Sequence, residues 1–77
     1  MKITGSNSYV KFDLENGYVV KADGEMLIGG KFVAFKDSMR QWEPPHHNEE
    51  LSENEVQEII QQVEQNTNEN TVHISFV

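Results

Sequence analysis

Three dipeptides that contain glycine divide the first forty residues into short segments. They are Asn16-Gly17, Asp23-Gly24 and Gly29-Gly30, and each tolerates the positive φ of a tight hairpin turn. The segments around them, MKIT, SYVKFDL, YVVKA, EMLI and KFVAFK, are rich in β-branched and aromatic residues. This spacing predicts a β-meander, in which each strand pairs antiparallel with the next.

The pattern within these segments indicates which faces are buried. Val10, Phe12 and Leu14 alternate with more polar residues, which is typical of a strand with one buried face. KFVAF is apolar on both faces, which favours a strand central to the sheet or covered on both sides. The following WEPP, residues 42–45, is predicted to lie outside any sheet ladder, because prolines lack an N–H and force extended geometry on the residue before them.

A strong helix start follows the prolines. Ser52 with Glu55 three residues later forms a capping box, and Leu51 with Val56 has the spacing of a hydrophobic staple. The helix then carries one apolar stripe, formed by Val56, Ile59, Ile60 and Val63.

The chain closes with TVHISFV, in which Val72, Ile74 and Phe76 alternate with polar residues and predict a last strand. The predicted fold is therefore α+β. It has a mainly antiparallel β-meander of about five short strands, one C-terminal amphipathic helix packed on the sheet, and a final strand.

The length predicts the number of domains. A chain of 77 residues makes a single domain, residues 1–77.

Charge is unevenly distributed along the chain. The net charge is −7, and all six Lys and Arg residues lie in the first 40 positions, whereas residues 41–77 carry eight acids and no Lys or Arg. This distribution argues against nucleic-acid binding and against an anionic membrane surface, since both need Lys or Arg. The acidic half either steers a basic partner or serves only as a solubilising face.

The sequence predicts a soluble, cytoplasmic protein. The first residues, MKITGSNSYVKFD, lack the apolar run of a signal peptide, and no stretch approaches the roughly 20 apolar residues of a membrane span. The chain has no cysteine, so disulfides and thiolate metal sites are excluded.

No motif for catalysis or for a cofactor is present, and the chain is predicted not to be an enzyme. No serine lies in a G-x-S-x-G elbow, and the glycines match no phosphate-binding loop. His46 and His47 point to opposite sides of an extended chain. An exposed loop is therefore favoured over a weak metal site completed by Glu49 or Glu50, and no metal site is predicted.

Trp42, the only tryptophan, has two interpretations. Its indole covers the open end of the core, or it forms a ledge, stiffened by the prolines, that grips a protein partner. The two are compatible if one edge of the ring is exposed. The candidate partner-binding residues are Trp42, Glu43, Pro44, Pro45, Glu49 and Glu50.

Several segments resemble a known family when they are taken in order. DGEMLIGGKFVAF, SMRQWEPP and SENEVQEII, with MKITG at the start, are similar to immunity protein family 74 of bacterial polymorphic toxin systems. The resemblance spans nearly the whole chain, and WEPP at residues 42–45 is its most specific piece. It implies an α+β fold and a non-enzymatic protein that binds and neutralises a cognate toxin.

The acidic half makes a toxin with a basic surface the expected partner, with nucleases as one candidate class. An alternative of a different kind is an interaction or regulatory module without a toxin partner. Examples are a phage or mobile-element accessory protein and a homodimer built by edge-strand pairing.

Overall fold

The computed structural model describes residues 1–65 and 73–77. In this part of the chain, five strands form one sheet in the order β1-β2-β3-β4-β5. The elements are β1 (Lys2–Gly5), β2 (Tyr9–Asp13), β3 (Val19–Leu27), β4 (Lys31–Ala34), α1 (Glu53–Gln65) and β5 (His73–Phe76). A short 3-10 turn, Lys36–Ser38, leads out of β4.

The sheet is mainly antiparallel. β1 to β4 pair in sequence order as an antiparallel meander, whereas β5 pairs in parallel with β4. The parallel pair is joined by the long connection that contains α1, as a parallel pair requires. The predicted α+β fold is confirmed. Val72, expected in the last strand, lies outside the described residues.

Two of the three predicted turns are present. Gly17 has φ of 94°, and it closes the connection between β2 and β3. Gly29 and Gly30 have φ of 89° and 74° between β3 and β4. Because L residues with a side chain rarely adopt this left-handed conformation, these glycines fix the two hairpins.

The third predicted turn is wrong. Asp23 and Gly24 lie in the middle of β3, which runs without interruption for nine residues, so residues 19–22 of YVVKA and 25–27 of EMLI belong to one strand. Gly24 is needed for close packing instead of for a turn. A Cβ at this position would lie 2.6 Å from the Phe32 ring and would overlap the carbonyl oxygen of Val33. A glycine inside a strand often marks such a close backbone approach.

One face of the sheet, here called the inner face, forms the core with α1. Cross-strand neighbours share a face, and the rows that contain Phe12 with Val20 and Phe32 with Ile74 point inward. The buried core side chains are Val10, Phe12, Val20, Ala22, Phe32, Ala34, Met39, Trp42, Ile59, Val63 and Ile74. The opposite, outer face carries the alternate residues of each strand.

The helix begins as the sequence predicts. The Ser52 N–H donates to Oε1 of Glu55 at 3.0 Å, and the Glu55 N–H donates to Oγ of Ser52 at 3.2 Å, so the capping box is confirmed. Ile59 and Val63 of the predicted stripe are 2% and 3% exposed. In the described part of the chain, no helix is long and apolar enough to cross a membrane.

β4 is central but is covered on only one side. It lies between β3 and β5, as its apolar sequence predicts, and Phe32 and Ala34 are buried on the inner face. Val33 on the outer face is half-buried, and Phe35, which continues the alternation, is 40% exposed. The second apolar face of KFVAF is thus left open to solvent.

Candidate functional site

Residues 41–50, here called the proline loop, are paired with the start of β3. Trp42 forms an antiparallel bridge with Val20, and the Glu43 N–H donates to the Val19 carbonyl at 2.7 Å. Trp42 forms a single isolated bridge and Glu43 a single hydrogen bond, and neither residue belongs to a strand, so the segment lies outside any sheet ladder, as predicted. The prolines follow immediately after these two residues, where the absence of their N–H groups removes no bond to β3.

The loop also pairs with its own returning end. Gln41 bridges with Glu50, and the Trp42 N–H donates to the Glu49 carbonyl at 3.4 Å. Leu51, the residue before the helix cap, donates its N–H to the Arg40 carbonyl at 2.9 Å. The segment that carries Trp42 is thus held on both sides, by β3 and by residues 49–51.

Two consecutive turns form the tip of the loop. The His46 N–H donates to the Glu43 carbonyl, and the Glu49 N–H donates to the His46 carbonyl, both at 3.0 Å. The first turn has Pro44 and Pro45 at its centre, joined by a cis peptide bond. Both prolines are exposed. The tip is therefore a compact projection with a defined backbone.

The loop is anchored to the sheet by an aromatic cluster around Tyr18, which lies just before β3. The Tyr18 ring stacks on His46 with centroids 3.8 Å apart and packs edge-on against Trp42 at 5.0 Å. Its hydroxyl donates to the carboxylate of Glu49, at 3.1 and 3.2 Å from the two oxygens. His46 Nδ1 lies 3.0 Å from the same carboxylate. These contacts join both ends of the loop to one side chain.

The charge of Glu49 affects the ionisation of Tyr18. The hydrogen bond to the Glu49 carboxylate raises the pKa of Tyr18 above its ordinary value of 10.0, and desolvation and the negative charges of Glu49 and Glu55 add to this. Each of these effects opposes phenolate formation. Tyr18 therefore keeps its neutral, hydrogen-donating form, which binds the loop, to a higher pH than an ordinary tyrosine does.

A groove, here called the acidic groove, lies between this cluster and α1. It has a volume of about 230 Å³. Its lining residues are Leu14, Asn16, Tyr18, Trp42, Glu55, Glu58, Ile59 and Gln62. The only charged side chains in this lining are those of Glu55 and Glu58. The groove thus combines an apolar and aromatic floor with a purely negative rim.

A second groove, here called the mixed groove, lies on the other side of the helix start. It is larger, about 620 Å³. Its lining residues are Lys36, Asp37, Met39, Arg40, Glu50, Leu51, Glu53, Asn54, Val56 and Gln57. Because Lys36 and Arg40 stand beside its three acids, it does not select a basic ligand as the acidic groove does.

The six residues predicted to bind a partner are distributed over several surfaces. Trp42 is 5% exposed and contributes to the floor of the acidic groove, whereas Glu50 lines the mixed groove. Glu43 pairs with Lys11 of the outer face at 3.5 Å. Pro44, Pro45 and Glu49 belong to the projecting half of the proline loop. The part of these residues in binding stays a prediction.

The two adjacent histidines have different surroundings. His46 is half-buried against Tyr18, whereas His47 is exposed. Within residues 1–65 and 73–77, no group of three or more His, Asp or Glu side chains is arranged to hold a metal ion. The contacts of His46 with Tyr18 and Glu49 give it a structural role in the loop.

Sequence reasoning missed Tyr18 as the residue that organises the site. It lies 31 positions before Glu49, and no local pattern joins them. One feature of the sequence does indicate its position. Tyr18 directly follows the Asn16-Gly17 turn, and the first residue after a hairpin turn lies at the end of the sheet. Glu55 was assigned only to the helix cap, although it also lines the acidic groove.

The fold and the site define a small α+β domain whose distinctive surface is an acidic, aromatic groove beside a proline loop. The family model described as Immunity protein 74 matches residues 2–77, and the chain belongs to this family. Immunity proteins are generally non-enzymatic, and membership implies a protein partner, a toxin. No curated protein and no solved structure matched the chain.

Proposed function

We propose that this protein binds and neutralises a cognate toxin of a bacterial polymorphic toxin system by occluding the toxin's functional surface. The observation that carries the proposal is the acidic groove, because its charged lining is wholly negative. The proposed site of action is the cytoplasm, where a chain without cysteine does not depend on disulfides.

The acidic groove has the size and lining to receive one lysine or arginine side chain of the toxin. Its volume of about 230 Å³ is below the roughly 300–1,000 Å³ of ligand pockets. The half-buried Leu14 offers apolar contact to the stem of such a side chain, and the half-buried ring of Tyr18 favours a cation nearby. The charged head then meets Glu55 and Glu58, which form charge-assisted hydrogen bonds with it.

The carboxylates around the groove are available to a partner. Within the described residues, no Lys or Arg forms an ion pair with Glu50, Glu53, Glu55 or Glu58. A basic surface therefore gains these interactions without breaking an ion pair in the free protein, where the Glu55 carboxylate accepts the Ser52 N–H of the helix cap. Long-range attraction speeds its approach. A nuclease is the toxin class that fits best, since clefts that bind phosphate are lined by Lys and Arg.

The proline loop extends the proposed contact surface beyond the groove. Pro44 and Pro45 are exposed, and the loop backbone is closed by two turns and by the Tyr18 contacts. Such a segment loses little conformational entropy on binding. In this arrangement Trp42 supports the loop from beneath, and Glu49 with Glu50 adds negative charge to its returning end.

Co-expression with the toxin gene tests the proposal. We expect the wild-type chain to restore growth when it is expressed with the adjacent upstream toxin gene, and to be recovered with the toxin in a pull-down. Glu58→Gln should weaken protection, because Glu58 lines the acidic groove. Glu64→Gln is the matched control: it makes the same charge change on the same helix, but Glu64 lines neither groove.

Two results would count against the proposal. If the chain neither restores growth nor binds the neighbouring gene product, a regulatory or interaction module without a toxin partner becomes the better account. If the chain protects but Glu58→Gln and Glu64→Gln protect equally at low salt, the toxin is bound elsewhere and the acidic groove is not the site.

A further inference from the structure

We propose that the outer face of the sheet is a docking surface for a second copy of this chain. The outer face consists of the strand residues that point away from α1. By the pairing register they are Lys2, Thr4, Tyr9, Lys11, Asp13, Val19, Lys21, Asp23, Glu25, Leu27, Lys31, Val33, His73 and Ser75. In the described part of the chain, no helix packs on this face.

The β3–β4 end of this face carries apolar side chains that the monomer does not cover. Leu27 is 43% exposed and Phe35 is 40% exposed, and Val33 between them is half-buried. Ile28 at the adjoining hairpin tip is 99% exposed. Turn tips ordinarily carry polar residues, and contiguous exposed apolar side chains with a polar rim mark interaction surfaces.

The charges of the outer face are nearly balanced. Four lysines stand among three carboxylates, and Lys2 lies opposite Asp13, whereas Lys11 lies opposite Lys21. In the apolar region, Glu25 lies in the row next to that of Lys31. A two-fold axis that lies parallel to this face, between the two copies, brings Lys31 of one copy towards Glu25 of the other, and the reverse.

This balance favours a second copy over the proposed toxin as the occupant. The unpaired acids of residues 41–65 lie in the proline loop and in the helix, on the side that a basic toxin is expected to contact. Two copies joined by their outer faces keep these acidic surfaces apart, so that the repulsion of two chains of net charge −7 is smallest. The inference therefore does not depend on toxin binding.

Packing of two copies through their outer faces explains the exposed apolar side chains better than pairing of two copies through an edge strand. Edge pairing through β1 would leave Leu27, Val33 and Phe35 exposed, because they lie on β3 and β4 and in the residue after β4. Packing of two outer faces covers these side chains, as in a sheet sandwich. It also covers the outer side of β4, as expected for the sequence KFVAF, which is apolar on both faces.

The size of the face sets the strength of the association. Four of the five strands have 4 or 5 residues. With strands about 4.8 Å apart, the planar area of the face is roughly 400 Å². Stable complexes bury about 800 Å² of accessible surface per partner, so the dimer is expected to be weak and dependent on concentration.

Sedimentation equilibrium of the purified chain from about 5 to 500 μM tests the inference, because this range covers weak association. We expect a reversible monomer–dimer equilibrium. Leu27→Thr should raise the dimer dissociation constant at least about tenfold, since it removes one of the exposed apolar contacts of the patch.

Met26→Thr is the matched control. Met26 is the neighbouring residue, 41% exposed, but it points to the inner face in the row of Phe32 and Ile74. Circular dichroism establishes that both variants fold. A chain that stays monomeric throughout the concentration range overturns the inference, and so does a dimer that Leu27→Thr and Met26→Thr weaken equally.

Discussion

The proline loop and the helix cap are adjacent in the chain, but different interactions stabilise them. The cap of α1 is closed by Ser52 and Glu55, which are three residues apart. The proline loop is held by Tyr18 and Val20, which lie more than twenty positions earlier. Local sequence is therefore enough to build the cap, whereas the loop forms only when the sheet has folded beneath it.

The loop should be far more sensitive than the cap to the loss of one side chain. Trp42→Ala removes a buried indole that packs against Tyr18, and is expected to lower the free energy of unfolding by about 3–5 kcal/mol. Urea unfolding measures this loss. His47→Ala in the exposed tip of the same loop is the control, with an expected change within about 0.5 kcal/mol.

Loss of the helix cap should lower the free energy of unfolding by less than loss of Trp42. Ser52→Ala removes the acceptor of the Glu55 N–H and is expected to cost about 1 kcal/mol in the same urea experiment. Glu55→Gln is the comparison variant, because a glutamine oxygen can still accept the Ser52 N–H. A Ser52→Ala loss as large as that of Trp42→Ala would show that the two regions do not differ as described.

The smallest expected effect is on the ionisation of Tyr18. Its pKa lies above 10.0 because it donates a hydrogen bond to the Glu49 carboxylate, so Glu49→Gln should lower this pKa towards 10.0. Ultraviolet titration of the phenolate, with Tyr9→Phe in the background to leave one tyrosine, measures the change. An unaltered Tyr18 pKa in Glu49→Gln would mean that the carboxylate does not hold the ring.

The sign of the pH dependence follows from the direction of this shift. Because the pKa of Tyr18 is higher in the folded chain than its ordinary value of 10.0, its contribution to stability is complete below pH 10.0. The contribution is lost as the pH rises through the folded pKa. Above pH 10.0 the free energy of unfolding should therefore fall with pH in wild type, and this fall should be smaller in Glu49→Gln, in which the Tyr18 pKa lies closer to 10.0.

The same distinction explains how much of the structure the sequence could predict. The capping box, the apolar stripe of α1 and the turns at Gly17 and at Gly29-Gly30 are set by residues a few positions apart. Gly24 could not be interpreted in the same way, because a side chain there would collide with Phe32 and with the Val33 carbonyl, which lie on the neighbouring strand. A dipeptide cannot distinguish a turn from a close approach.

The candidate site was only partly within reach of sequence reasoning. The acidic half and the position of Trp42 between the sheet and the helix were evident from residue order. The groove itself depends on Tyr18, on Leu14 and on two glutamates of α1, which become neighbours only when the helix packs on the sheet. These residues are brought together by tertiary packing, which a local sequence pattern does not reveal.

In the proposed complex, a basic side chain of the toxin enters the acidic groove. Calorimetric dissociation constants for the purified toxin, at low and high salt, test it most directly. Glu58→Gln should weaken binding roughly tenfold at low salt and much less at high salt, because salt screens exposed charges. Glu64→Gln should match wild type at both. Equal affinities for Glu58→Gln and wild type at low salt would contradict the claim.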